Sequence, residues 1–220
     1  MSMPPFRAAV AKGRILDEVV ALWQAAGWVW PFDEHSRRLY KDPDPAGPGA
    51  ILVKGDDVPV LVERGIADFG IVGKDILAER HQANVLEVLD LGVGRCRVVL
   101  AGRTPEPPHG RVRIATRYPA VTRAYVARKG LMAEVVELHG SVELAPLIGL
   151  SPYIVDIVQT GVTLAEHGLV EIETVLPVTA RLIANPALWR AKDLAQVRDH
   201  LRTVVDRLQA VPVAGTPGKE

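Results

Sequence analysis

Short apolar runs alternate with helical patterns along this chain, and that alternation constrains the fold more than any other feature of the sequence. Phe6–Ala11, Ala50–Lys54, Phe69–Val72, Val85–Asp90 and Arg97–Ala101 read as strands. Between the first two, Ile15–Ala26 places Ile15, Val19, Leu22 and Trp23 on one helical face, with Gly27 as a stop. Asp57 caps a shorter helix ending near Gly65. Lys41–Gly49 is too rich in Pro and Gly for a regular element, and Thr104–Gly110 is a second such break.

Beyond that break the alternation restarts. Val112–Thr116 is predicted as a strand and Pro119–Arg128 as a helix opened by proline. Ala133–Leu138 follows as a strand, Val142–Ile148 as a helical stretch and Ile154–Val158 as a strand. Thr163–His167 opens a short helix, and Leu169–Val175 and Val178–Ala184 are strands. Ala187–Gln209 reads as one long amphipathic helix before a loose tail, Val211–Glu220.

Strands separated by helices imply an α/β fold with largely parallel sheets. Two runs meeting around Leu91–Arg103 imply two lobes with a cleft between them. A chain of 220 residues suits one domain or two small lobes, and 48% apolar content excludes a disordered chain. With 26 basic and 26 acidic side chains, the basic excess of a dedicated nucleic-acid binder is missing. The single cysteine, Cys96, rules out an internal disulfide framework and a cysteine-based zinc cluster. No export signal or run of roughly 20 apolar residues is visible, so no membrane association and a cytoplasmic location are expected.

The strongest chemical signal is Tyr153–Leu164, YIVDIVQTGVTL. A strand carries Asp156, and Thr160-Gly161-Val162-Thr163 then turns into a helix. Such a turn offers unpaired backbone N–H groups and two hydroxyls, at a helix end that favours negative charge. Asp156 stands where it could accept hydrogen bonds from sugar hydroxyls beside a bound phosphate. An ordinary strand-to-helix turn with Thr163 near the cap is the alternative.

Lys12-Gly13-Arg14 follows the first strand, and Lys54 ends another. Open α/β sheets bind ligands beyond the carboxyl ends of their strands, which would bring these cations to a ligand crevice. Each alone reads as a surface charge; together with the TGxT turn they favour a polyanionic substrate. Glu143 could bond a ribose hydroxyl or support a metal, or simply be a first-turn helix acid. Other motifs fail. Gly70–Lys74 lacks the spacing and the Ser or Thr of a Walker motif, and Gly92–Arg97 has Arg where a dinucleotide fingerprint needs its third glycine. The six histidines form no HxxxH or HExxH pair.

Taken in order, these stretches resemble the ATP phosphoribosyltransferase family of histidine biosynthesis, in its short form without a regulatory domain. The resemblance rests on Lys12–Ile15, Asp57–Pro59, Ala67–Asp75, Gly94–Arg97, Ile114–Pro119, Gly140–Leu150, Asp156–Leu164 and Arg181–Asn185. It implies two lobes like a type II periplasmic binding protein: residues 1–93 with 179–220 returning, and residues 94–178 carrying the donor loop. It implies transfer of the phosphoribosyl group of 5-phosphoribosyl 1-diphosphate to N1 of ATP, with Mg²⁺ on the substrate phosphates and no covalent nucleophile. Glu143, Asp156, Gln159, Thr160, Gly161, Val162, Thr163 and Leu164 would bind the donor. Lys12, Gly13, Arg14 and Lys54 would meet ATP and the phosphates, with Lys12 and Arg14 stabilising the leaving charge; metal ligands stay unassigned. A homo-oligomer joined to a regulatory subunit resembling histidyl-tRNA synthetase is also implied.

Two positions depart from the family pattern. Gly149-Leu150-Ser151-Pro152 stands where the family usually reads GLAD, and His167 where it often has Asn. Two rival readings remain at this level. A type I phosphoribosyltransferase also ends its loop in TGxT, but normally has two adjacent acids where this chain has Val155-Asp156. The other is a two-lobed binding module without catalysis, since fold alone does not establish activity.

Overall fold

The computed structural model describes residues 3–32, 37–45, 47–80 and 84–210. The chain begins with strand β1 (Arg7–Ala11), helix α1 (Leu16–Ala25), strands β2 (Tyr40–Lys41) and β3 (Gly49–Val53), and helix α2 (Val58–Glu63). It continues through β4 (Phe69–Gly73), α3 (Lys74–Glu79), β5 (Leu86–Asp90) and β6 (Cys96–Gly102). Then come β7 (Arg111–Thr116), α4 (Pro119–Lys129), β8 (Met132–Glu137), β9 (Tyr153–Val158) and α5 (Val162–Glu166). Strands β10 (Val170–Val178) and β11 (Ala180–Ala184) and helices α6 (Pro186–Ala191) and α7 (Ala195–Ala210) complete it.

These elements form two units. The first comprises residues 1–72, 84–93 and 180–220, the second residues 73–83 and 94–179. The family resemblance implies one lobe over residues 1–93, whereas helix α3 and its flanks group with the second unit. Two contacts explain why. The Tyr118 hydroxyl donates to Asp75 Oδ2 at 3.1 Å. The Glu79 carboxylate accepts the Ala120 and Val121 N–H groups, at 2.8 and 3.1 Å, and so caps α4.

In the first unit the six-stranded sheet runs β2-β3-β1-β4-β11-β5. Strand β1 pairs parallel with β3 and with β4, whereas β11 and β5 are antiparallel. The sheets are therefore mixed rather than largely parallel, because β5 with β11 and β6 with β9 and β10 pair antiparallel between strands far apart in the sequence. Trp23, Phe69, Leu182, Val197 and Leu201 are buried together with α1 and α7 against one face. On β4, Gly70 presses α2 close: a Cβ there would lie 2.6–2.8 Å from side-chain carbons of Val58, Val62 and Ile183.

The second unit has a five-stranded sheet ordered β10-β6-β9-β7-β8. β7 is parallel to both β8 and β9, while β6 is antiparallel to β9 and β10. Apolar clusters cover both faces. One contains Val98, Leu100, Ile114, Tyr118, Tyr125 and Val155; the other contains Val99, Ala115, Val142, Ile154, Val158 and Leu164.

Three local readings change. The predicted long helix over Ala187–Gln209 is broken between α6 and α7, where Asp193 takes φ +49° and accepts from Gln196 Nε2 at 2.7 Å. Only Val142–Leu144 of the predicted helical stretch over Val142–Ile148 forms a regular element, a single 3-10 turn. Helix α3 and the short β2 went unread. The predicted tail Val211–Glu220 lies outside the described residues.

Asn185 secures the first unit through four hydrogen bonds. Its Oδ1 accepts from the Ala187 and Leu188 N–H groups at 2.9 and 3.0 Å, capping α6. Its Nδ2 donates to the Val62 and Glu63 carbonyls at the end of α2, at 2.8 and 3.1 Å. Asn185→Ala removes the cap and strands both carbonyls, so a loss of about 2–3 kcal/mol is expected. Asn185→Asp keeps the cap but turns a buried carboxylate oxygen on the same two carbonyls, so it should lose at least as much. Urea unfolding midpoints of the three proteins check this order; equal midpoints would reject the assigned role.

Candidate functional site

The second unit builds its candidate site on one face of β9. Side chains alternate along a strand, so Ile154, Asp156 and Val158 share a face. Ile154 and Val158 belong to the cluster that includes Val142, Ala145 and Leu164, which places Asp156 beside the Val142–Leu144 turn and α5. Asp156 is half-buried, and the Ile157 N–H donates to its Oδ1 at 2.8 Å. Burial holds this carboxyl above the usual aspartate range. The Ile157 N–H and the charge of Arg117 pull it partway back, while the Glu143 carboxylate pushes it further up. Glu143, half-buried, follows Val142 of that cluster, so its turn packs against the face that bears Asp156.

After β9 the chain bends through exposed Gln159 and Thr160 to Gly161, which adopts φ +87° and ψ −2°. An L side chain strains in that left-handed region, so the TG order of the motif has a backbone cause. The first i→i−4 bond of α5 runs from the Ala165 N–H to the Gly161 carbonyl at 3.1 Å. The N–H groups of Thr163 and Leu164 therefore precede the helical ladder. Thr163 and Val162 are exposed, whereas the Leu164 side chain is buried and anchors the turn in the apolar cluster. Leu164 can thus offer a ligand its backbone but not its side chain.

Supports for this loop escaped the sequence reading. Arg97 grips the Glu171 carboxylate through Nε at 2.9 Å and Nη2 at 2.6 Å, and its Nη1 reaches the Gln159 carbonyl at 3.4 Å. Those hydrogen bonds hold the Glu171 carboxyl below the usual range. Thr116 Oγ1 donates to the Val155 carbonyl at 2.7 Å and accepts the Tyr118 N–H at 2.8 Å, locking the end of β7 to β9. Burial, with the Asp75 charge second, pushes the Tyr118 phenol far up, so it acts as a hydrogen-bond donor.

The departures have local explanations. Ser151 is buried; its Oγ accepts the Ala115 N–H at 3.2 Å and lies 2.7 and 2.6 Å from the Arg113 and Tyr153 carbonyls. It joins β7 to the start of β9, while Pro152 is exposed. His167 Nδ1 lies 2.8 Å from the Thr163 carbonyl and closes α5.

In the first unit, the β1–β3 register pairs Ala11 with Val53, so Lys12 and Lys54 lie one residue beyond the ends of adjacent parallel strands. The Lys12 N–H donates to the Val53 carbonyl at 2.8 Å. Gly13 follows at φ +89°, with open space where a Cβ would be, and Arg14 stands in the turn before α1. All four of these residues sit at one edge of this sheet. Lys12, Arg14 and Lys54 are exposed there, a basic rim suited to phosphate oxygens.

Among the described residues, no three His, Cys, Asp or Glu side chains converge to hold a metal ion, and no helix is long and apolar enough to cross a membrane.

Because burial raises the Asp156 pKa in the folded state, this group favours folding only while protonated, and that contribution fades as pH rises through the folded-state value. Asp156→Asn is expected to melt above the parent at neutral pH, with the gap closing below about pH 4, near the unfolded aspartate value. Thermal melts of the ligand-free proteins across this range check the sign. An Asn variant melting lower at neutral pH would contradict it.

A family model described as "HisG: ATP phosphoribosyltransferase" matches residues 54–210. An ATP phosphoribosyltransferase of Sorangium cellulosum is 45% identical over 210 residues, which cover 94% of this chain and 95% of that protein. A solved "ATP phosphoribosyl transferase (HisG:HisZ) complex from Thermotoga maritima" has 31% identity and a TM-score of 0.75, with 92% of this chain and 99% of that one covered. A probable extracellular-binding protein of an amino-acid ABC transporter, from Bacillus subtilis, reaches a TM-score of 0.59 at 9% identity, covering 94% and 93% of the two chains. That likeness establishes the binding-protein fold alone.

Proposed function

The chain belongs to the ATP phosphoribosyltransferase family, and from that membership we propose how its two units divide the substrates. The reaction is the first step of histidine biosynthesis. The Gln159–Leu164 turn, with Asp156 and Glu143, binds 5-phosphoribosyl 1-diphosphate. The observation that carries this is the left-handed Gly161, which opens α5 directly after the strand bearing Asp156. The 5-phosphate takes the open N–H groups of Thr163 and Leu164 and the hydroxyls of Thr160 and Thr163. Asp156 and Glu143 accept hydrogen bonds from the ribose hydroxyls.

Adenine N1 attacks the anomeric carbon of the donor as the bond to the diphosphate oxygen breaks. The N1 lone pair is already available, so the protein need not supply a nucleophile or a strong base. Its work is alignment and stabilisation of the leaving charge. Lys12 and Arg14 stabilise that charge, and with Gly13 and Lys54 they meet the phosphates of ATP. Mg²⁺ enters as part of the substrate complexes, consistent with its preference for phosphate oxygens and water over an all-protein cage.

We also propose that this chain works in the cytoplasm as a homo-oligomer joined to a regulatory subunit resembling histidyl-tRNA synthetase. The complex with the Thermotoga maritima relative supports that pairing.

Pyrophosphate release from ATP, the donor and Mg²⁺ tests the assignment, with and without the regulatory subunit. Thr160→Ala is expected to raise the KM for the donor roughly 10- to 100-fold, the size of a lost hydrogen bond to a charged group. Gly161→Val adds backbone strain and should do at least as much, whereas Cys96→Ser should leave the KM near the parent value. Donor titrations that fail to separate these variants would remove the loop from the binding site.

A further inference from the structure

Arg117 has no part in the functional reading above, yet the sheet brings it to Asp156. The parallel register pairs Ala115 with Ile154 and Thr116 with Val155, so Arg117 lies one step past the last pair, opposite Asp156. The two-residue period puts it on the face of Ala115, which belongs to the same cluster as Ile154 and Val158. Thr116 faces the other way, into its bond with the Val155 carbonyl, and holds the strand end in that phase. Arg117 is exposed, and its charge acts on the Asp156 carboxyl.

Other groups around Asp156 sharpen the role. Glu143 approaches from the Val142–Leu144 turn and adds like charge. Tyr118 lies beyond Arg117, and its buried phenol feels Asp156 but stays protonated. Val99 of β6, paired with Asp156, and Leu164 of α5 carry no charge. Arg117 is therefore the one cation among these neighbours, facing two acids that must work beside a polyanionic substrate.

We infer that Arg117 is the counter-ion of Asp156 and, through it, a positioning residue for the sugar of the donor. The inference rests on the proposed donor site. The guanidinium favours the carboxylate form, the form that can only accept hydrogen bonds and so takes both protons offered by a ribose diol. Without it, more of the site would carry a protonated Asp156 at the acid end of the pH range and hold the sugar less well.

The test is a pH profile of kcat/KM for the donor in the parent, Arg117→Gln, Arg117→Lys, Asp156→Asn and the Arg117→Gln/Asp156→Asn double variant. Carboxyl ¹³C NMR of Asp156 in the ligand-free proteins supplies a readout that needs no substrate. In Arg117→Gln the Asp156 titration and the acid limb of the profile should both move to higher pH. The donor KM should rise about two- to five-fold on the acid limb of the profile and less on its alkaline side, as expected for an exposed charge acting on a half-buried one. Arg117→Lys should restore most of the parent profile, and Arg117→Gln should add nothing once Asp156 is Asn. A pH-independent loss that adds fully to Asp156→Asn would overturn the inference in favour of direct contact with donor phosphate. An unmoved Asp156 titration would overturn it as well. A titration that moves while donor affinity is indifferent to both Arg117 and Asp156 would instead place the fault in the donor-site reading.

Discussion

Parallel pairing makes neighbouring strands finish at the same edge of a sheet, and the candidate chemistry of this protein depends on that constraint twice. In the first unit β1 and β3 end together, which brings Lys12 and Lys54 side by side although 42 positions separate them in the sequence. In the second, β7 ends opposite Val155 while β9 runs on to Val158, which brings the Thr116–Tyr118 turn beside Asp156. Neither grouping needs a long reach from a side chain. The backbone ladder does the placing, and the residues just past the last ladder bond inherit the position.

A polar residue near such an edge is useful only if its backbone stays still, and several motif residues serve that end rather than contact with substrate. Asn185 satisfies two ends of helices at once. Asp68 accepts the Arg7 N–H at 2.8 Å and the Lys192 ammonium at 2.7 Å, tying β1 to the turn that separates α6 from α7. Gly70 is required by the side chains pressed against it. Thr116 and Ser151 each spend a hydroxyl joining β7 to β9. Family resemblance at Asp68, Gly70, Thr116 and Asn185 therefore reflects packing and hydrogen-bond accounting as much as chemistry.

The alternation of apolar runs and helical patterns made most strands, α1, α4 and the TGxT turn legible, because each is signalled by neighbours in sequence. What escaped depends on partners far along the chain. Helix α3 is six residues long and begins at Lys74, directly after Gly73; its place is decided by Tyr118 and by the N-terminus of α4. Arg97 and Glu171 meet only because β6 and β10 are adjacent. The break between α6 and α7 carries no proline or glycine. It turns on Asp193, a residue that tolerates positive φ better than most. The motif includes Leu164 in the turn but does not announce that its side chain packs in the core, leaving only its backbone to face a ligand.

The strand order of the first unit has a consequence for how the chain comes to be folded. Strand β11 lies between β4 and β5, in the middle of the sheet rather than at its rim. During synthesis from the N-terminus, β1, β3 and β4 emerge early, but β4 keeps an exposed edge until residues 180–184 leave the ribosome. The second unit is made almost entirely within that interval, since residues 94–179 intervene. The unit that starts first therefore finishes last. Its half-built sheet, with an unpaired interior strand, is the species most open to wrong pairing.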